Sequence, residues 1–432
     1  MPTSERLTQR QIARFWAPLA ATWLMMAVEG PFLAAVIARL GNATFNLAAF
    51  GVAFSFAMLI EAPIIMMMSA AVALVGDSQS FLLLRRFTYL LNAAITLVML
   101  VLLAPPVFRF VVERLVGLPH EVARLTHVAT AILLPWPAAI GFRRFYQGVL
   151  IRAHLTRRVA YGTVVRVSSM ALAAVALSQL TALPGAYVGA AALAAGVTAE
   201  AGASRWMARG AVRAVRAVPA VGAPLTTAAI VRFYVPLALT SVLTLGVNPV
   251  VTFLLGHSRS ALDSLAVWPV VTALVFAFRS AGFAFQEVGV ALLGDERRVR
   301  ALARFAATLA AVTAGALVVV AFSPLARVWL ATVSGLPPEL TRSGLWPLRI
   351  LCLMPALEVL LSFQRSRLVH ARRTAPISWA TAIEVGGLVA VTATGIAAFD
   401  LVGAVAGAAG MLTGRVAANT FLARATARPR PA

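Results

Sequence analysis

The chain has 432 residues, 61% of them hydrophobic and only 12% charged, where a soluble domain carries roughly 25% charge; no soluble fold of this size buries that much apolar surface. All 37 basic residues are arginine against 15 acidic ones, a net charge of +22. Without lysine, the P-loop, protein-kinase and Schiff-base chemistries that need its amine are excluded.

Apolar stretches of 18 or more residues read as membrane helices, because about 20 residues at a rise of about 1.5 Å cross a hydrocarbon core of about 30 Å. Twelve are predicted, over residues 12–38, 45–75, 87–112, 125–150, 158–180, 183–207, 228–256, 263–293, 301–322, 342–366, 375–398 and 401–423. Polar residues 1–11 precede the first, and it lacks a small-residue cleavage pattern, so it reads as a retained helix. Arginines gather in the segments that follow every second span, from Arg85 and Arg86 to the set starting at Arg415. The positive-inside rule then puts both termini in the cytoplasm, the chain in the inner membrane, and the arginines against anionic inner-leaflet lipid. Cys352 is the lone cysteine, and the histidines show no metal-ligand spacing; no metal, cofactor or nucleic-acid partner is expected.

The sequence repeats itself. An offset of 218 lays Arg14-Phe15-Trp16 on Arg232-Phe233-Tyr234, Gly76-Asp77 on Gly294-Asp295, Gly117-Leu118-Pro119 on Gly335-Leu336-Pro337, and Pro137 on Pro355. Near the end of each half the best textual offset falls to about 214, where Val188-Gly189 meets Val402-Gly403. Six spans per half make the repeat parallel, which predicts an all-α, two-bundle transporter: residues 1–208, a linker at 209–227 with Pro219 and Pro224, and residues 228–432. In such folds substrate binds near the midplane and one bundle rocks against the other. A monomer is expected.

Ionisable side chains inside spans are costly and mark function or pairing. Glu29, Glu61, Arg166, Arg279, Glu287, Arg349 and Glu384 are the candidate substrate or coupling residues, with Glu200 and Glu358 also in spans. The 218 offset places Glu61 on Arg279 and Arg166 on Glu384. Arg279 is therefore expected to pair with Glu61 or Glu29 between the bundles; a fixed pair inside one bundle is the alternative. Glu29, next to Gly30-Pro31, is a candidate proton carrier at a kink. Arg143, Arg144 and Arg365 form a candidate inner vestibule, since guanidinium forks suit carboxylates and phosphates; snorkelling to the interface is the plainer reading. Pro18, Pro31, Pro63, Pro236, Pro249, Pro269 and Pro355 are expected to kink their helices. Met66-Met67-Met68 reads as packing, and Gly76-Asp77 and Gly294-Asp295 as turns.

Leu47-Ala48-Ala49-Phe50-Gly51-Val52-Ala53-Phe54-Ser55 with Pro63, Arg232-Phe233 with Pro236-Leu237, and Trp346-Pro347-Leu348-Arg349-Ile350 with Pro355 resemble the progressive ankylosis protein family over nearly the whole chain. The resemblance implies membership of the multidrug, oligosaccharidyl-lipid and polysaccharide exporter superfamily, a twelve-helix fold, and export of pyrophosphate, nucleotides or citrate-like anions. It also points to Arg349 as a functional residue. The expected function is secondary active export of a small organic or phosphorylated anion, with no enzymatic activity, since no paired-Asp or HExxH pattern lies in a span. The alternatives are a proton- or sodium-coupled exporter of cationic drugs, served by Glu29 and Glu61, and a flippase for a lipid-linked substrate.

Overall fold

The computed structural model describes residues 7–153, 155–220, 225–371, 373 and 375–427. Pro224 and the side chains of Pro18, Pro236 and Glu287 lie outside the described residues. In chain order the helices of the first half are α1 (Gln9–Ala38), α2 (Ala43–Glu61), α3 (Met67–Leu74), α4 (Ser78–Leu103), α5 (Pro105–Arg109), α6 (His120–Ile132), α7 (Trp136–Arg152), α8 (Thr156–Leu180), α9 (Gly185–Met207) and α10 (Arg209–Ala217). The second half supplies α11 (Thr227–Leu245), α12 (Val247–Gly256), α13 (Ala261–Leu292), α14 (Glu296–Phe322), α15 (Leu325–Arg327), α16 (Pro338–Ile350), α17 (Met354–His370), α18 (Ala375–Phe399) and α19 (Gly403–Ala427).

Ten segments among the described residues are long and apolar enough to cross a membrane: α1, α2 with α3, α4, α6 with α7, α8, α9, α13, α14, α16 with α17, and α18. The two other predicted spans are also helical. The seventh is divided into α11 and α12 at Gly246, and the twelfth, α19, is diluted by Arg415 and Asn419. The third span runs over 78–103 instead of 87–112, because Asp77 starts it and Pro105-Pro106 begin a separate short helix. Asp77 and Asp295 both accept a hydrogen bond from the backbone three residues on, at 2.9 Å from Ser80 N and 2.9 Å from Arg298 N. These Gly-Asp pairs are helix caps.

The duplication survives in backbone detail at the 218 offset. A π-helical turn follows at 110–115 and again at 328–333, and left-handed residues recur at Asn42 and Ser260 and at Gly117 and Gly335. The ends of the halves keep that register too. Asn46 Oδ1 accepts from Ala186 N and Ser264 Oγ from Ala404 N, while Gly196 lies against the carbonyl of Arg166 and Gly414 against that of Glu384. The 214 offset seen in the sequence is therefore a textual coincidence, since helices rich in Gly and Ala match one another in several registers. The halves differ at one point. Pro63 lacks an amide hydrogen and breaks the second span into α2, a 3₁₀ turn at Ala62–Ile64, and α3. Its counterpart α13 is unbroken, Pro269 included, and α1 runs unbroken through Gly30-Pro31.

The chain forms two compact units, residues 39–253 (the N unit) and residues 1–38 with 254–432 (the C unit). This division differs from the expected bundles at 1–208 and 228–432: the first helix of each half joins the other half. In the C unit, Trp16 Nε1 on α1 donates to the carbonyl of Ala281 at 3.0 Å, and Gln9 donates to that of Ala301 at 2.9 Å. In the N unit, Tyr234 Oη on α11 donates to the carbonyl of Pro63 at 2.6 Å. Trp16 and Tyr234, like Pro63 and Ala281, are equivalent under the 218 offset, so one contact is made twice. The linker contains α10, amphipathic with Ala211 and Val212 buried.

Close helix approach in the N unit depends on Gly148, where a Cβ would lie 2.5 Å from Ala71 Cβ and 2.6 Å from the carbonyl of Met68. Gly148→Ala is expected to cost about 1–3 kcal/mol, lowering the thermal unfolding midpoint of the detergent-purified chain. Gly202→Ala, whose Cβ meets open space, leaves that midpoint unchanged or raises it. The Ser80 backbone amide holds the Asp77 carboxyl below its usual range. The cap therefore stabilises the fold at neutral pH and is lost as pH falls through that lowered value; Asp77→Asn flattens the acid limb of a plot of midpoint against pH.

Candidate functional site

A helix in an apolar medium satisfies its own backbone, so buried side-chain charges are the polar groups left to compensate. Each unit does so in one knot. In the N unit the centre is Glu200 on α9, fully buried. It accepts from Arg143 on α7, from Gln147 Nε2 one turn further along α7 at 3.0 Å, and lies 3.7 Å from Arg166 Nε on α8. One carboxylate thus ties three helices.

Glu61 ends α2 at the 3₁₀ break and is 3% exposed. It accepts from Trp136 Nε1 at 2.5 Å, at the start of α7, just beyond the break at Pro135. Among the described residues no guanidinium lies within ion-pair distance of it. Arg144, beside Arg143, contacts the sulfur of Met68 at 3.8 Å and, among the described residues, pairs with no carboxylate. That gives Met68, expected only to pack, a polar contact.

In the C unit the centre is the pair Glu358 on α17 and Arg415 on α19. Arg415 Nη1 donates to Glu358 Oε2 at 2.7 Å, and its Nε and Nη2 reach Glu384 on α18 at 2.8 and 2.7 Å. Arg279 on α13 donates to the same Glu358 oxygen through Nε at 2.9 Å and Nη2 at 2.5 Å. Gly282 permits this approach, since a Cβ there would lie 2.9 Å from Glu358 Cγ. Arg365 on α17 donates to Thr381 Oγ1 at 3.2 Å and, among the described residues, pairs with no carboxylate.

Arg279 is thus partnered by Glu358 inside its own unit, and Glu61 by an indole inside the other, in place of the expected Arg279 pairing with Glu61 or Glu29. Equivalence under the repeat says which residues share a position, and contact is a separate matter. Glu29 lies half-buried on α1. Arg349 stands apart from both knots, 5.6 Å from the ring centre of Phe322 and 5.3 Å from that of Trp346, with Nε 3.4 Å from the carbonyl of Ala321. Both rings are 62% exposed, so Arg349 is a surface cation–π group. Arg143, Arg166, Arg279 and Glu384 are brought into the two knots, with Glu61, Arg144 and Arg365 in the same units beside them.

Glu358, Arg415, Glu200, Gln147 and Trp136 complete the arrangement. Arg415 had been sorted with the cytoplasmic C-terminal arginines, yet it is 6% exposed. Its signal was its place inside a Gly- and Ala-rich helix, with Glu384 on the preceding span. The two knots carry opposite charges on equivalent helices: at the 218 offset α2 has Glu61 where α13 has Arg279 and α8 has Arg166 where α18 has Glu384, while Arg143 on α7 and Glu358 on α17, like Glu200 on α9 and Arg415 on α19, lie one helical turn out of that register.

No protein-family profile and no curated protein matches this chain by sequence. Solved structures do match by fold. An inward-facing multidrug resistance transporter of the MATE family aligns with a TM-score of 0.73 at 14% identity, over 95% of this chain and 97% of its own. The lipid II flippase MurJ, in an inward closed conformation, aligns with a TM-score of 0.69 at 11% identity, over 93% of this chain and 86% of its own. A transporter of the MOP superfamily from Pyrococcus furiosus gives a TM-score of 0.63 at 14% identity, over 98% of both chains. The protein has the MATE-like fold. That fold is a helical, multi-pass membrane architecture.

Removing one member of a buried pair leaves the other uncompensated, at a cost of about 3–5 kcal/mol. Glu200→Gln, which leaves Arg143 and Arg166 without their carboxylate, is expected to lose that much, read as a drop in thermal midpoint and in the yield of monodisperse protein. An unchanged midpoint would mean that the knot contributes nothing to the fold.

Proposed function

We propose that this protein is a secondary active transporter that exports a small organic or phosphorylated anion across the inner membrane by alternating access, with both termini in the cytoplasm. The observation that carries the reading is the pair of guanidiniums that form no ion pair among the described residues, Arg144 in the N unit and Arg365 in the C unit. Glu200, Glu358 and Glu384 are each engaged by arginine, so the polar cores hold cations in excess. Such a core attracts an anion and disfavours a cationic drug. The likeness to the progressive ankylosis family points the same way. The MATE-like fold supports transport driven by an ion gradient, and the lack of lysine is consistent with it. In this reading the knots are scaffold, while Arg144 and Arg365 meet the substrate.

Glu61 is the coupling candidate. It is buried, stands where two membrane-crossing segments are interrupted, and has a neutral indole as its donor. Interrupted helices are where transporters place ion and substrate contacts, and the unbroken α1 gives Glu29 no such setting.

The test is uptake into proteoliposomes of labelled pyrophosphate, citrate and a nucleotide, beside a cationic dye and a lipid-linked sugar, under imposed proton and sodium gradients. Anion flux is expected, reduced at least about tenfold by Arg144→Gln or Arg365→Gln if each guanidinium contributes about 1.5 kcal/mol or more. Glu61→Gln should leave anion exchange intact while removing its dependence on a proton gradient. Flux of the dye but of no anion would reverse the substrate assignment, and transfer of the lipid-linked sugar alone would establish the flippase alternative.

A further inference from the structure

A second concentration of arginine lies on the outer surface of the N unit. Leu82, Arg85, Arg86, Tyr89 and Leu90 recur on one face of α4 and line an open recess of about 430 Å³. Tyr89 is 42% and Leu90 62% exposed, and the apolar stripe continues along the same helix through Leu97 and Val101. Arg86 stands eight residues from the start of the helix at Ser78, about 12 Å along its axis. A helix of 26 residues is about 39 Å long and overhangs a hydrocarbon core of about 30 Å, so two arginines at this point, with leucines beside them, stand near a membrane interface, where guanidiniums meet lipid phosphates.

The neighbouring groups raise the positive charge further. Tyr89 Oη lies 3.2 Å from Tyr146 Oη, and the guanidinium of Arg205 on α9 sits 5.1 Å from the Tyr146 ring centre. The backbone ties α10 to the head of α4, through Ser78 N donating to the carbonyl of Val218 at 3.1 Å. On that linker helix Arg209, Arg213 and Arg216 are exposed, and the guanidinium of Arg209 covers the ring of Trp206, itself 63% exposed, at 4.9 Å. Arg85, Arg86, Arg205, Arg209, Arg213 and Arg216 form no ion pair among the described residues. The nearby Asp77 is occupied as a cap by Ser80.

We infer that this surface is a binding site for one anionic phospholipid. Its phosphate lies between Arg85 and Arg86, where two guanidinium forks supply donors, and Tyr89 Oη offers a further donor. An acyl chain runs along Leu90 and Leu97. The arginines of α10, with Trp206 as an interfacial anchor, attract the surrounding negative headgroups. An exposed apolar stripe continuous with an arginine pair distinguishes a lipid from a soluble phosphate, which would gain nothing from Leu90 or Leu97. The site stands whether or not the chain moves an anion.

The experiment is native mass spectrometry of the full chain in detergent, titrated separately with phosphatidylglycerol, phosphatidylcholine and glycerophosphate. A phosphatidylglycerol adduct is expected to be retained in preference to phosphatidylcholine, with no glycerophosphate adduct at the same concentration. Arg85→Gln with Arg86→Gln should weaken it about thirtyfold, from the loss of two arginine contacts. Arg297→Gln with Arg304→Gln, the same charge removed from α14, should leave it unchanged. Equal retention of phosphatidylcholine, an adduct insensitive to the α4 substitutions, or equal binding of glycerophosphate would each overturn the assignment. The wild-type comparison of the three ligands decides this even where a variant fails to purify.

Discussion

A charge removed from water inside a bundle of apolar helices must be matched by its opposite, and that constraint organises both units. In the N unit Glu200 holds α7 and α8 against α9, and in the C unit Glu358 and Arg415 hold α13, α17, α18 and α19 together. Surface ion pairs contribute little to stability. These knots differ because each member is out of water, so removing one leaves its partner stranded. Against this background the guanidiniums of Arg144 and Arg365 stand out. They lie in the same cores, yet their contacts are a thioether and a hydroxyl.

The two halves show what such a constraint lets a duplicated chain change. Their backbones agree in the π turns, the left-handed residues at Asn42 and Ser260, and the Asp77 and Asp295 caps. Their buried charges are exchanged on four equivalent helices. Reversing one charge alone would place two like charges in contact in a medium that cannot screen them. Reversing the charges together keeps the attractions: Glu358 and Glu384 to Arg415 in the C unit have counterparts in Arg143 and Arg166 to Glu200 in the N unit, while the Arg279–Glu358 pair is replaced by the contact of Glu61 with Trp136. Inverted polarity is therefore reachable at constant fold, and it explains why positions conspicuous for opposite charge in the two halves need not touch each other.

Much of this was legible in the sequence, and the failures share a cause. Hydropathy locates the helices, and loop residues such as Gly117 and Gly335 reveal the repeat, because both signals are local or periodic. The exchange of first helices has no local signal. It rests on Trp16 and Tyr234 finding carbonyls 265 and 171 residues away in the chain, at Ala281 and Pro63. Arg415 lies inside the predicted span 401–423 and yet counts with the C-terminal arginines in the positive-inside reading, because that rule sorts arginines by side of the membrane and takes no account of burial. The Arg279 partner was missed for a related reason: Glu358 comes from a different helix of the same unit, and only packing brings α17 against α13.

Asymmetry between otherwise matching halves is where function departs from scaffold. Pro63 interrupts the second span, while the equivalent α13 continues without a break and anchors Arg279 in the C unit knot. Glu61, at the position equivalent to Arg279, sits at the interruption instead, with Trp136 brought to it by the second interruption at Pro135. An intact helix fixes a charge so that a partner can be built around it. A broken helix frees backbone groups, one of which Tyr234 already occupies at the carbonyl of Pro63. The same backbone position thus carries a cation paired with a carboxylate in one unit and a buried acid held by an indole in the other. The coupling role proposed for Glu61 rests on this asymmetry: both units are knotted by paired charge, and the acid at a helix break lies in the N unit.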